Sequence, residues 1–98
     1  MPKRYIVSIM WEPQIQYNDW QTKIELFQIR KEYKLKLAPI SILPNLPDKV
    51  HYGVYCNKGI FQKEENILSR LNGFVNDSQK ILKNKGIRDV TIEIIYPN

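Results

Sequence analysis

The amino-terminal segment has the alternating pattern of a β-strand. Residues 3–11 are rich in β-branched and aromatic side chains, and Pro13 closes the run. Because successive side chains of a strand point to opposite sides, Tyr5, Val7 and Ile9 form one fully apolar face. The other face combines apolar, polar and basic side chains. The segment therefore predicts a central strand that packs tightly on one side.

The most regular periodic segment lies in the second half of the chain and predicts one amphipathic helix, from about Gln62 to Lys85. Its acidic start, its lysine-rich end and Gly86 just beyond it suit the helix dipole and a C-terminal cap. Gly73 lies inside this helix and disfavours it by about 1 kcal/mol relative to alanine, but the apolar phase continues through it. The residues that recur at steps of three and four are Ile67, Leu68, Leu71, Phe74, Val75, Ser78, Ile81 and Leu82.

Residues 19–32 carry two competing patterns. Asp19 suits a helix N-cap, and most residues that follow it tolerate a helix well. On that helix the apolar residues divide into two nearly opposite groups. One contains Trp20, Ile24 and Phe27, and the other contains Leu26, Ile29 and Tyr33. The alternative is a hairpin over residues 22–38, but its turn would lack the usual turn residues, so a helix is favoured.

Three further strands complete the predicted order of elements. Tyr33, Leu35 and Leu37 alternate with polar neighbours before Pro39 interrupts the pattern, and strands are also predicted over residues 50–56 and 90–94. The chain then reads βαββαβ. This order is ferredoxin-like, a single α+β domain over residues 1–98 with a four-stranded antiparallel sheet and two helices on one face. With residues 22–38 as a hairpin, the sheet has five strands and one long helix.

The long helix also leads to a prediction about assembly. It spans roughly 33 Å, whereas strands of seven or eight residues span about 25 Å. The helix is therefore expected to extend beyond its own sheet and to bury part of its apolar face against a second copy. The sequence predicts a homodimer with an interface at Leu71, Phe74, Val75 and Ser78.

Composition and charge narrow the class of partner. The chain of 98 residues has a formal net charge of +5, which fits a polyanionic partner. Nucleic acid or a protein is expected to bind near Lys3, Arg4, Lys34, Lys36 and Lys49, with Tyr52 as a stacking platform. Trp11 and Trp20 are both assigned to the core.

No catalytic constellation emerges from the sequence. His51 and Cys56, the only histidine and cysteine, lie five positions apart in one strand and so on opposite faces. Two such ligands are too few for structural zinc, and no cofactor or metal is expected. The leading hypothesis is a non-enzymatic binding protein. The alternative is a metal-dependent nuclease or other hydrolase in which Glu12, Asp19 and Asp89 converge only in the fold.

The remaining signals concern location and origin. No apolar run approaches the roughly 20 residues of a membrane span, and the basic start lacks a signal-peptide cleavage site, so no membrane partner is expected. One cysteine is consistent with a reducing compartment, the cytoplasm of a cell or an infected cell. Fourteen isoleucines and eleven lysines against one alanine suggest an AT-rich genome, such as that of a virus, phage or plasmid.

Overall fold

The computed structural model describes residues 3–14, 16–44 and 46–98, and the backbone only at residues 16 and 17. The described residues form an antiparallel sheet with the strand order β2-β3-β1-β4, and two α-helices. This confirms the ferredoxin-like α+β fold, with residues 19–30 helical and not part of a hairpin. The elements are β1 (Lys3–Trp11), α1 (Gln16–Arg30), a 3-10 turn (Lys31–Tyr33), β2 (Lys36–Leu37), a second 3-10 turn (Ile40–Ile42), β3 (Val50–Lys58), α2 (Glu64–Asn84) and β4 (Thr91–Ile95).

The sheet is built around β1, which pairs with β3 along its whole length. The pairing of β2 with β3 is far shorter and covers only Lys36 with Tyr55 and Leu37 with Val54. The strand predicted from the alternation of Tyr33, Leu35 and Leu37 begins only at Lys36, because Lys34 has a left-handed conformation, with φ of 55°. It ends because Pro39 follows Ala38, whose N–H makes the last cross-strand bond, to the Gly53 oxygen at 2.9 Å. The first residues of β3 therefore have no strand neighbour on this side.

Both helices pack on one face of the sheet. The odd-numbered residues of β1 from Tyr5 to Trp11 meet Leu26 of α1 and the apolar stripe of α2 in one buried cluster. The opposite face is covered by the segment after β2, where Ala38 and Leu43 pack on Ile6. The sheet is thus enclosed on both faces at its centre.

Helix α2 is continuous through Gly73 and shelters its apolar stripe within the single chain. Leu71, Phe74 and Ser78 have no exposed surface, and Val75 is half-buried against the same cluster. The predicted dimer interface is therefore corrected at Leu71, Phe74 and Ser78, which the chain itself buries, and Val75 keeps only part of its surface exposed. Strand β3 is longer than the sequence predicted and has nine residues, like β1, so both strands span about 30 Å, close to the roughly 31 Å of α2.

Neither helix combines the length and the hydropathy that a transmembrane span needs, across the residues that the structure describes.

Candidate functional site

The basic residues predicted to bind a polyanion are divided between the two ends of the sheet. Lys3 and Arg4 begin β1 opposite Lys58 and Asn57 of β3, and Lys34 and Lys36 lie at the same end, beside the start of β2. Lys49 lies at the other end, where its ammonium group is 3.8 Å from the Asp89 carboxylate. Tyr52 is buried on the helix-facing side and lies among apolar residues. The structure therefore brings four of the five cations to one end, without Lys49 and Tyr52.

His51 and Cys56 lie on opposite faces of β3, as their spacing predicts. Cys56 is in the core under the helices, and burial raises the pKa of its thiol, which favours the unreactive neutral form. The His51 ring lies at the loop after β2, with Nε2 2.8 Å from the Leu46 carbonyl oxygen. The two side chains do not form a nucleophile and base pair.

Two of the three acids of the hydrolase alternative, Asp19 and Asp89, have separate partners. Asp19 accepts hydrogen bonds from the Trp11 indole N–H at 2.9 Å and from the Gln14 backbone N–H at 3.0 Å. Asp89 faces Lys49. Among the described residues, no three histidine, cysteine or acidic side chains lie close enough together to hold a metal ion.

The most distinctive surface feature is an apolar groove beside the short edge of the sheet, which we call the edge groove. Its cavity volume is about 340 Å³. One wall is α1, the other is the segment from Leu37 to Leu43, and the first residues of β3 form its floor. The lining residues are Trp20, Lys23, Ile24, Phe27, Leu37, Ala38, Ile40, Leu43, His51, Tyr52 and Gly53.

Four large apolar side chains on the walls of the edge groove are open to solvent. Trp20 is 65 % exposed, Ile40 is 71 %, Leu37 is 49 % and Phe27 is 36 %. Single exposed apolar residues are common, whereas contiguous groups of them are typical of interaction surfaces. Trp20 was assigned to the core by the sequence, and this assignment is wrong, whereas Trp11 is fully buried.

The charges at the edge groove are positive. Lys23 lines it, the Arg30 guanidinium lies 4.0 Å from the centre of the Phe27 ring, and the Lys31 ammonium lies 5.8 Å from that centre. No acidic side chain is among the described residues that line it. The groove thus combines an apolar interior with a cationic rim.

The floor of the edge groove consists of three consecutive residues of β3, from His51 to Gly53. Because the cross-strand bonding on the β2 side ends with the Ala38 N–H and the Gly53 oxygen, His51 and Tyr52 have a strand neighbour only on the β1 side. An edge of this kind presents backbone N–H and C=O groups that can pair with an added strand. Gly53 lets the wall approach closely, since a Cβ there would lie 2.4 Å from a Leu43 methyl carbon.

Tyr52, at the floor of the edge groove, carries a buried hydroxyl that has no hydrogen-bond partner among the described residues. Burial raises the pKa of Tyr52 to about 12, although the nearby positive charge of Arg30 acts in the opposite direction. The neutral phenol is therefore strongly favoured in the folded chain.

Replacing Tyr52 by phenylalanine is expected to leave stability near neutral pH unchanged or to raise it by up to about 1 kcal/mol, because an unpaired buried hydroxyl is removed. The Tyr52 pKa is higher in the folded chain than its ordinary value of 10.0, so the phenol of the unfolded chain ionises first as pH rises. The stability that depends on a neutral Tyr52 is therefore present below pH 10 and is lost as pH rises towards 12. Tyr52→Phe should therefore lose less stability than the wild type between about pH 9 and pH 11. Urea denaturation at these pH values measures both effects, and a clear loss near neutral pH would show that the hydroxyl has a partner.

No protein-family model, curated protein or solved structure shows significant similarity to this chain.

The edge groove was missed by sequence reasoning, although its signal was present. The two opposite apolar groups of residues 19–32 lie in different places. Leu26 faces the core, whereas Trp20, Ile24 and Phe27 line the edge groove. A helix with two apolar sides in a small domain covers the core with one and has the other available for a partner.

Proposed function

We propose that the protein is a non-enzymatic binding protein whose edge groove takes a short extended segment of another protein, with apolar side chains flanked by acidic residues. The observation that carries this proposal is the exposure of Trp20, Phe27, Leu37 and Ile40 around one cavity. Aromatic residues at the centre of an apolar surface typically supply most of the affinity of a protein interface.

An extended segment fits the edge groove because the start of β3, up to Tyr52, has no strand beside it at the floor. A segment aligned with β3 can form backbone hydrogen bonds there and direct alternate side chains into the cavity. The cavity volume of about 340 Å³ accommodates only two or three side chains, so the recognised segment is short.

Charge determines which segments are favoured. Lys23 lines the groove and Arg30 and Lys31 lie beside its Phe27 ring, so acidic residues in the partner would lie close to positive charge. A nucleic acid is a poorer occupant, because an apolar cavity offers few contacts to phosphates. A second copy of this chain is also disfavoured, because each copy carries a net charge of +5.

The proposal is tested by selecting displayed random peptides on the full-length protein. Peptides with two or more apolar side chains and flanking acidic residues are expected to be enriched. In fluorescence anisotropy, the labelled selected peptide should bind the Trp20→Ser variant at least about tenfold more weakly, because an exposed tryptophan anchor is lost. Exchanging its acidic residues for lysine should also weaken binding, and this effect should decrease with salt.

Leu46→Ser provides the matched control, since Leu46 is exposed but lies outside the edge groove. It should bind the selected peptide like the wild type. The proposal is overturned if selection enriches no peptide relative to the Trp20→Ser variant, or if both variants weaken binding equally.

A further inference from the structure

A second group of exposed apolar side chains lies at the other end of β3, in the loop to α2. Ile60 is 92 % exposed and Phe61 is 98 % exposed, the largest values among the exposed large hydrophobic residues of the described chain. Tyr96, which follows β4, lies at the same end of the sheet and is 55 % exposed. These three side chains are far from the edge groove, which lies at the start of β3.

The loop holds Ile60 and Phe61 outward in a closed turn. The Gln62 backbone N–H donates to the Gly59 oxygen at 3.2 Å, and the Gly59 N–H donates to the Gln62 side-chain oxygen at 2.6 Å. Central positions of turns usually carry glycine, proline or small polar residues. Here the central positions carry two large apolar side chains. The backbone N–H groups of Gly59 and Gln62 are hydrogen-bonded within the turn.

Positive charges surround this turn. Lys58 and Lys63 flank it in sequence, and Lys3 lies directly across the sheet from Lys58. Neither ion pair found in the described part of the chain involves these lysines or Arg4. Glu64 and Glu65 begin α2 nearby, and Glu64 accepts a hydrogen bond from the Tyr5 hydroxyl. We call this end the basic tip, and define it as Lys3, Arg4, Lys58, Ile60, Phe61, Lys63 and Tyr96.

We propose that the basic tip docks on an anionic lipid surface, with Ile60 and Phe61 inserted at the level of the headgroups. Adjacent apolar side chains on a turn with internal hydrogen bonds can enter the interfacial layer without losing all backbone partners. Tyrosine is favoured at that depth, and lysine and arginine are attracted by the negative surface potential. The sequence led to the expectation of no membrane partner, because no apolar run is long enough to span a bilayer, but interfacial docking requires no such run.

A lipid surface suits the basic tip better than nucleic acid. Bases stack on aromatic rings, and a stacking site would use Phe61 but gain little from the adjacent aliphatic Ile60. A bilayer accepts both side chains, because it recognises apolar surface without regard to shape. The inference is independent of the edge groove and goes beyond the proposed function.

The test is co-sedimentation of the full-length protein with vesicles of phosphatidylcholine, with and without phosphatidylserine. The protein should partition onto the phosphatidylserine vesicles and only weakly onto the neutral ones. Phe61→Ser is expected to lower the partition coefficient about tenfold or more, since much of a phenylalanine is no longer buried. Lys58→Gln should lower it about fivefold at low salt, and this loss should shrink as salt is raised.

Leu46→Ser again serves as the matched control and should partition like the wild type. A Phe61→Trp variant supplies a second readout, because the emission of an inserted indole shifts to the blue. The inference is overturned by absence of partition, by equal loss in Leu46→Ser, or by binding to a labelled oligonucleotide that is tighter than to vesicles and weakened by Phe61→Ser. Retained binding of the groove-selected peptide by Phe61→Ser would separate this test from that of the edge groove.

Discussion

Replacing Phe74 by alanine is expected to lower the free energy of unfolding by about 3–5 kcal/mol. Phe74 has no exposed surface and packs in the cluster that joins α2 to β1 and β3. The substitution removes most of an aromatic side chain from a core that is closed on every side. Urea denaturation followed by circular dichroism measures the loss.

The same experiment decides between a core residue and a dimer contact. If Phe74 belongs to the core, the denaturation midpoints of the wild type and the variant should not change with protein concentration. Asn76→Ala, an exposed substitution on the same helix, should change stability by no more than about 0.5 kcal/mol. A wild-type midpoint that rises with protein concentration would instead support the homodimer predicted from the sequence.

The elements with one dominant pattern were predicted closely from the sequence. Strand β1 begins and ends where its alternation does, and α2 lies within one or two residues of its predicted bounds. Both elements place one apolar face against the core, so the pattern along the chain and the packing agree. The order of elements then fixed the fold class.

The failed predictions share a physical cause, since they depended on lengths and surfaces that only the assembled sheet defines. The interface predicted on α2 assumed a shorter sheet, whereas β3 continues through polar Asn57 and Lys58 to match β1. Strand β2 is short because backbone geometry at Lys34 and Pro39 overrides a good alternating pattern. The edge groove arises where chain segments separated in sequence meet, and the sheet brings Lys3 and Tyr96 to the end that carries Ile60 and Phe61.

Replacing Gly73 by alanine is expected to destabilise the protein, against the usual effect of this change within a helix. Alanine would favour the helix by about 1 kcal/mol. However, a Cβ at Gly73 would lie 2.4 Å from the Tyr33 ring, at Cε1. The ring has little freedom to move, since the Tyr33 hydroxyl donates to the Asp77 carboxylate and the Arg70 Nε donates to the Tyr33 backbone oxygen at 2.9 Å. We expect a net loss of about 1–3 kcal/mol in urea denaturation.

A double-mutant cycle identifies the cause of that loss. With Tyr33→Ala the ring is absent, so Gly73→Ala should now stabilise the protein by up to about 1 kcal/mol, through helix propensity alone. Asn72→Ala, at the exposed neighbouring position, should show no such reversal. If Gly73→Ala destabilises equally in both backgrounds, the Tyr33 ring is not the reason that α2 carries a glycine at its centre. A reversal of sign would show that Gly73 allows the 3-10 turn after α1 to pack against α2, which positions the start of β2 beside the edge groove.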